Sequence, residues 1–211
     1  MYREEKIKVS KTARIIFAGC NPEKASSVII CLHGYAQKAE DMLPTILDAV
    51  PPDTCVVAPE GLNHFYAKGF TGNPVACWMT SILREDEILD YTTYLNGVYD
   101  LIKKQVHPTT AFMGLGFSQG ATTLSRWLLT EIPKLNAAFF CSGLPAEEWF
   151  QKEKNGDMNI HFIYGLNDPF IRAEQSEKII SRLQTHHVNI HPFYGEHLLD
   201  SSTLKKMFHA G

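Results

Sequence analysis

The chain has 211 residues, of which 45% are hydrophobic and 20% are charged. This size and composition are typical of one globular domain with a substantial buried core, so we expect a single domain over residues 1–211. The formal net charge is only -3, and the lysines and arginines are scattered. The chain therefore lacks the dense basic patch that is typical of a nucleic-acid-binding protein. Small molecules or protein surfaces are the expected partners.

The N-terminal residues and the longest apolar runs bear on where the protein resides. The segment "MYREEKIKVSK" is too charged to contain the apolar region of a signal peptide. Runs such as "VIICL" and "AAFFC" are far shorter than a membrane span. We therefore expect a cytoplasmic protein without integral membrane association. The sequence leaves open whether it is a monomer or a homodimer.

The five cysteines predict neither a disulfide framework nor a metal site. Their number is odd, they are widely spaced, and no pair has the C-x-x-C spacing of a zinc or redox site. Cys31, Cys55 and Cys141 lie in apolar runs that predict strands. We expect these three side chains to be small buried apolar groups.

Short apolar runs alternate with helical patterns along most of the chain. The segment "KIKVSKTARIIFAG" predicts a short N-terminal pair of antiparallel strands. Six further strands are predicted, at residues 28–32, 54–58, 110–115, 137–141, 160–164 and 188–194. Helical patterns span about 85–106 and follow Ala39, Gln119 and Glu174. This order predicts an α/β fold, with a mostly parallel central sheet and helices on both faces.

The stretch "MGLGFSQGAT", at residues 113–122, admits two interpretations. Its glycines resemble a loosened dinucleotide-binding pattern, but the next strand, "NAAFFCSG", ends without the carboxylate that would bind a ribose. From Gly116 onwards the pattern is G-x-S-x-G, with a strand before it and an amphipathic helix after it. Small residues at Gly116 and Gly120 suit so tight a turn. We therefore interpret Ser118 as a nucleophile on a strand-to-helix turn.

A serine hydroxyl is a weak nucleophile, so this interpretation requires a histidine base and an orienting carboxylate. In a parallel sheet every strand delivers its following loop to the same edge, where Ser118 lies. Groups that precede a strand or lie inside one are thereby excluded, which leaves Asp168 in "YGLNDPF" and His197 in "YGEHLLD". The order Ser118, Asp168, His197 is expected of this fold class. His64 also follows a strand, but it precedes the serine and is the less favoured base.

Acyl transfer also needs backbone N–H groups that stabilise the negative oxygen of the tetrahedral intermediate, an oxyanion hole. One donor is expected from Gln119, directly after the nucleophile. The other is expected from the loop "HGYAQ", where Gly34 lets the backbone come close and Tyr35 is the candidate. His33 in the same loop has no partner at metal-ligand spacing, so we interpret it as structural and expect no metal site.

At these residues the sequence resembles the phospholipase/carboxylesterase family of α/β-hydrolases, which includes acyl-protein thioesterases and small bacterial carboxylesterases. The motifs "CLHGYAQ", "GFSQGA", "YGLNDP" and "YGEH" occur in the family's order. The resemblance covers residues 26–200 and implies a cofactor-free serine hydrolase with the triad Ser118, Asp168 and His197. It also implies oxyanion donors at Tyr35 and Gln119. Ala121 and Tyr164 stand where many members have glycine and histidine, and neither change touches the chemistry directly.

Residues 61–80 interrupt the alternation with a long connection rich in glycine and aromatic residues. The connection follows the strand "CVVAP" and so emerges at the same edge of the sheet as Ser118. An ester hydrolase needs an apolar wall to hold its acyl chain. We therefore expect the large apolar side chains of this segment to line an acyl pocket: Phe65, Tyr66, Phe70, Trp78 and Met79.

The sequence thus predicts a hydrolase that cleaves carboxylic esters or thioesters of small or acyl-chain substrates through an acyl-enzyme. A non-catalytic small-molecule-binding protein of the same fold is an alternative, because fold does not fix function. A serine peptidase is less favoured, since a peptide substrate normally needs a larger cap or an extra domain to define its cleft.

Overall fold

A seven-stranded sheet and a separate two-stranded hairpin organise the computed structural model, which describes residues 2–130, 132–152, 158–171 and 173–209. The strands are β1 (Ile15–Gly19), β2 (Ser27–Leu32), β3 (Thr54–Pro59), β4 (Asn63–Lys68), β5 (Thr71–Cys77), β6 (Ala111–Phe117), β7 (Ala137–Cys141), β8 (Asn159–Gly165) and β9 (Asn189–Phe193). The α-helices are α1 (Leu43–Ala49), α2 (Arg84–Lys103), α3 (Gln119–Trp127), α4 (Ala173–Thr185) and α5 (Ser201–Phe208).

The large sheet has the strand order β1-β3-β2-β6-β7-β8-β9. Strand β1 pairs antiparallel with β3, and the other neighbouring pairs in this sheet are parallel. The carboxyl ends of the parallel strands therefore meet at one edge of the sheet. The loops that follow these strands gather at this edge, which is where open α/β sheets bind ligands.

Helices cover both faces of the large sheet. In β2, Val28 and Ile30 pack in the apolar cluster that includes the buried sides of α2 and α3. Ile29 and Cys31 pack in the opposite cluster, which includes α1 and α5. Strand β2 is apolar on both sides because neither face is solvated. The predicted fold class, a mostly parallel sheet between two helical layers, is confirmed.

The predicted strands 28–32 to 188–194 and the long helix all occur, with bounds shifted by a few residues. The N-terminal strand pair needs correction. Within the described residues this region forms one strand, β1. It pairs with β3, and the second N-terminal strand that we predicted as its partner does not form there. Ile7 and Val9 lie among charged residues and are 85% and 77% exposed, so this segment lacks an apolar face that would hold a second strand against the sheet.

The connection at 61–80 is also more regular than its sequence indicates. Most of it forms the hairpin of β4 and β5, in which Asn63 pairs with Cys77 and Lys68 with Thr71. An isolated bridge between Gln37 and Ala76 joins this hairpin to the loop that follows β2. Among the described helices, none is long and apolar enough to cross a membrane.

Candidate active site

Ser118 occupies the sharp turn between β6 and α3. Its backbone has φ 53° and ψ -117°, a strained conformation for a residue with a side chain. The turn is closely packed, since a Cβ atom on Gly120 would collide with the carbonyl oxygen of Leu32 and one on Gly116 with the carbonyl oxygen of Gly120. The two glycines of the G-x-S-x-G motif are therefore required by the packing of this turn. The serine side chain is thereby presented at the carboxyl edge of the sheet.

His197 and Asp168 lie beside Ser118, on the loops that follow β9 and β8. The Nε2 atom of His197 is 2.9 Å from Oγ of Ser118, and its Nδ1 atom is 2.8 Å from Oδ2 of Asp168. The Asp168 side chain is fully buried, and its second oxygen accepts a hydrogen bond from the Phe170 backbone N–H at 2.9 Å. The structure thus brings together Ser118, Asp168 and His197, the three residues predicted from the sequence.

These hydrogen bonds determine which nitrogen of His197 carries the proton in the neutral ring. A carboxylate accepts hydrogen bonds only, so Asp168 places the proton on Nδ1 of His197. Nε2 then has a free lone pair directed at the hydroxyl of Ser118. This arrangement can take the proton from a serine hydroxyl and hold the charged imidazole that forms, which is the chemistry of base-activated nucleophilic catalysis.

The backbone N–H groups of Tyr35 and Gln119 have no acceptor within the described part of the chain. Gln119 is the first residue of α3, where an N–H group has no partner inside the helix and meets the positive end of the helix dipole. Tyr35 lies in the loop after β2. The preceding N–H group, that of Gly34, donates to Oε1 of Gln37 at 2.7 Å. Both predicted donors are therefore available to a ligand.

His33 begins the same loop and is completely buried. Its Nδ1 atom lies 2.8 Å from the Gly34 carbonyl oxygen, and its Nε2 atom accepts a hydrogen bond from the Gly61 N–H at 2.9 Å. Burial lowers the pKa of His33, which favours the neutral ring that this bonding pattern requires. Both ring nitrogens are occupied by the backbone, so the side chain fixes the loop. Among the described residues, no group of three His, Cys, Asp or Glu side chains could hold a metal ion.

The alternative base, His64, lies away from Ser118. Its Nε2 atom is 3.1 Å from Oε1 of Glu60, a buried carboxylate that also binds Arg14. Burial by itself would raise the pKa of Glu60, but the hydrogen bonds from the Ala39 N–H and from His64, together with the charge of Arg14, lower it below its usual value. This ion-pair cluster joins the start of the chain to the end of β3.

A cavity of about 360 Å³ opens beside Ser118 and His197. Its walls come from the loop after β2, from α1 and from the loop before α5, and they include Met42, Thr45 and Leu199. The sequence analysis missed these three wall residues, because nothing in the spacing of α1 or of the loop before α5 shows that they face one space. Asp41 also lines the cavity.

The five side chains of residues 61–80 that we expected to line an acyl pocket are absent from the described wall of this cavity. Trp78 is 1% exposed, and its indole N–H donates to the His33 carbonyl oxygen at 2.8 Å. Phe70 is 100% exposed near the tip of the hairpin, and Tyr66 is half exposed. Strands β4 and β5 pair with each other, and the tip of this hairpin, at Phe70, is exposed to solvent.

Two of the expected acyl-pocket residues do come near the site. The ring of Phe65 packs on that of Tyr35, a wall residue of the cavity, at a centroid distance of 5.4 Å. Met79 accepts a hydrogen bond through its carbonyl oxygen from Nε2 of Gln119 at 3.0 Å. The segment therefore contacts the residues around Ser118 through the Phe65 ring and the Met79 carbonyl oxygen.

The strained serine turn, the histidine and the buried aspartate on a parallel sheet define an α/β-hydrolase. The family model of the serine hydrolases (FSH1) matches residues 56–207. The chain belongs to this family, and the resemblance to carboxylesterases and thioesterases of the α/β-hydrolase class is confirmed.

Solved structures share the fold of this chain at low sequence identity. The carboxylesterase of Bacillus cereus is 18% identical, with a TM-score of 0.69, and the match covers 94% of this chain and 92% of the other. The acyl-protein thioesterase 2 of Zea mays is 14% identical, with a TM-score of 0.67 and coverage of 93% and 96%. A carboxylesterase from Mesorhizobium loti is 15% identical, with a TM-score of 0.69 and coverage of 94% and 92%. No curated protein matches the chain.

Proposed function

We propose that the protein hydrolyses carboxylic esters or thioesters, with Ser118 as nucleophile, His197 as general base and acid, and Asp168 as the orienting carboxylate. The observation that carries the proposal is the position of His197, which is within hydrogen-bond distance of Ser118 on one side and Asp168 on the other. Membership of the serine hydrolase family supports the same chemistry. The esterases and thioesterase of similar fold are consistent with it.

The reaction begins when Nε2 of His197 takes the hydroxyl proton of Ser118 and Oγ attacks the carbonyl carbon of the substrate. The carbonyl oxygen becomes negative and receives hydrogen bonds from the N–H groups of Tyr35 and Gln119. The tetrahedral intermediate then expels the alcohol or thiol, which takes the proton from His197, and an acyl-serine remains. His197 next removes a proton from water, which attacks the acyl group, and the acid leaves as Ser118 regains its proton.

The cavity indicates the size of the substrate. With about 360 Å³ beside the nucleophile, it has the volume of a small ligand site, and the buried Met42 forms part of its wall. Either the acyl group or the alcohol group of the ester can occupy this space next to the proposed oxyanion donors. We therefore propose small substrates or short acyl chains in preference to long lipid tails. The triad supplies nucleophile and base without a metal or cofactor, so we expect EDTA to leave the rate unchanged.

A fluorophosphonate probe tests this proposal, because it phosphonylates a serine only when the serine is activated. We expect labelling of the wild type and hydrolysis of p-nitrophenyl esters, tested from C2 to C16. Ser118→Ala should abolish labelling and lower hydrolysis by roughly 10³-fold or more. Ser202→Ala, which changes an exposed serine at the start of α5, is the matched control and should retain both. Persistent activity in purified Ser118→Ala protein would refute the assignment.

A further inference from the structure

Trp78 is hydrogen-bonded to both segments that carry the proposed oxyanion donors. Its indole N–H donates to the carbonyl oxygen of His33 at 2.8 Å, in the loop that leads to Tyr35. Its backbone N–H donates to Oε1 of Gln119 at 3.0 Å, in the first turn of α3. The ring is 1% exposed and packs on the imidazole of His33 at a centroid distance of 5.1 Å. One buried residue therefore connects the two halves of the hole.

The loop end of this connection has little freedom. The His33 ring binds the Gly34 carbonyl oxygen through Nδ1 and the Gly61 N–H through Nε2. The N–H group of Gly34 binds Oε1 of Gln37. A Cβ atom at Gly34 would lie 3.2 Å from Cβ of Ser118, so the loop already approaches the nucleophile closely. The carbonyl oxygen of His33 and both backbone polar groups of Gly34 are occupied, and the next N–H group, that of Tyr35, is left for a ligand.

The helix end of the connection is fixed in the same way. The side chain of Gln119 uses both of its polar atoms on the segment after β5, since Oε1 accepts from the Trp78 N–H and Nε2 donates to the Met79 carbonyl oxygen at 3.0 Å. The backbone N–H of Gln119 thus belongs to a residue whose side chain is anchored to Trp78.

We propose that Trp78 is a positioning residue that sets the separation of the Tyr35 and Gln119 N–H groups. Oxyanion donors stabilise the transition state only when they lie about 3 Å from the developing negative charge, and displacement by 1 Å removes much of the effect. The indole N–H holds the loop against the helix at that separation. This inference rests on the proposed ester hydrolysis and adds to it a residue that touches neither substrate nor triad.

Trp78→Phe tests the role of the indole N–H, because phenylalanine keeps an aromatic ring and the backbone N–H while the hydrogen bond to His33 is lost. The matched control is Trp127→Phe. Trp127 is also fully buried, and its indole N–H donates to Oδ1 of Asn96 at 2.8 Å, away from the oxyanion loop. Both variants lose one buried indole hydrogen bond, and comparison at equal folded concentration removes the general cost to stability.

The measurements are kcat and KM for a p-nitrophenyl ester, and the inhibition constant of an alkyl trifluoromethyl ketone. This ketone adds reversibly to the serine and places a negative oxygen in the hole. We expect Trp78→Phe to lower kcat by about 10- to 100-fold, with KM changed less than about threefold. The inhibition constant of the ketone should rise by the same factor as kcat falls. Its pH profile should keep the wild-type shape, because the triad is untouched. Trp127→Phe should change neither constant by more than about twofold.

Two results would overturn the inference. One is a Trp78→Phe enzyme no slower than the control, and the other is a slower enzyme whose affinity for the ketone is unchanged. Should Trp78→Phe fail to fold, Gln119→Met provides the second test, since it removes both side-chain hydrogen bonds and keeps the backbone N–H. The same parallel loss is expected, and its absence equally contradicts the inference. If the wild type is not labelled by the fluorophosphonate, the proposed function itself fails.

Discussion

The carboxylate of Asp168 is held by His197 on one oxygen and by a backbone N–H group on the other. Oδ2 lies 2.8 Å from Nδ1 of His197, and Oδ1 accepts from the Phe170 N–H at 2.9 Å. The ring of Phe170 also packs edge-on against His197, at a centroid distance of 4.6 Å. One turn after β8 therefore determines the orientation of both the acid and the imidazole.

We expect Asp168→Asn to lower kcat by about 10²- to 10⁴-fold while the protein stays folded. The amide nitrogen would face Nδ1 of His197 and favour the tautomer with its proton on Nε2, which cannot take the proton of Ser118. Steady-state kinetics and thermal unfolding measure the two effects. The control is Asp200→Asn, at a residue that caps α5 through the Thr203 N–H at 2.8 Å. An unchanged rate in Asp168→Asn would place the acid elsewhere.

The cavity predicts which substitution changes the preference for chain length. Thr45 lines it from α1, so Thr45→Leu should fill part of its volume. Each methylene excluded from an apolar site costs about 0.8 kcal/mol, or roughly fourfold in kcat/KM. We expect octanoate to lose more than acetate in a profile of p-nitrophenyl esters.

Phe70→Ala is the control for this profile, because Phe70 is fully exposed on the hairpin. The profile of Phe70→Ala should match that of the wild type. A selective loss of long esters in this variant would restore the hairpin as an acyl-binding element, and a uniform loss in Thr45→Leu would show that this residue does not select the substrate.

Asp41 predicts a preference against negatively charged substrates. It is the one carboxylate among the described residues that line the cavity. Asp41→Asn keeps the oxygen that accepts from the Lys38 N–H at 2.8 Å and removes the charge. We expect the ratio of kcat/KM for 4-nitrophenyl monosuccinate to that for the butyrate to rise about three- to tenfold at low ionic strength and to converge with added salt.

Asp100→Asn, on the exposed side of α2, is the matched control for charge and should leave this ratio unchanged. An equal ratio in wild type and Asp41→Asn at low salt would show that the carboxylate does not contribute to substrate selection.

The burial of His161 is expected to make the stability of the protein depend on pH. Its Nδ1 atom lies 3.0 Å from Nε2 of His191 on the next strand, and its ring stacks on that of Phe139. Burial, together with His191, lowers the pKa of His161 to about 4 from 6.5. Between these two values the unfolded chain binds a proton that the folded protein does not, so the free energy of unfolding decreases as the pH falls from 6.5 to 4.

We expect His161→Gln to reduce this decrease by on the order of 2 kcal/mol, allowing for partial exposure of the ring. Urea unfolding at pH 7, 5.5 and 4 measures the change. His209→Gln, at an exposed histidine after α5, is the control and should follow the wild type. An identical pH dependence in His161→Gln and wild type would contradict the assignment.

The sequence by itself determined the sheet and the three residues that we propose as the triad. Apolar runs and helical spacing are local properties, which is why the strands from β2 to β9 in the large sheet could be placed from them. The polarity of a parallel sheet then directs the end of every strand to one edge. The G-x-S-x-G motif indicated Ser118, and this rule then selected Asp168 and His197 from among many carboxyl and imidazole groups; the structure places the three within hydrogen-bond distance.

Only the tertiary structure decided what surrounds the nucleophile. The sequence shows that Trp78 and Phe70 follow β3, but the side chain of Trp78 is buried against His33 and that of Phe70 is exposed on a hairpin. The cavity is enclosed by residues distant in sequence, such as Thr45 and Leu199. Side-chain direction in these segments depends on which distant elements pack against them, and no local period of the sequence contains that information.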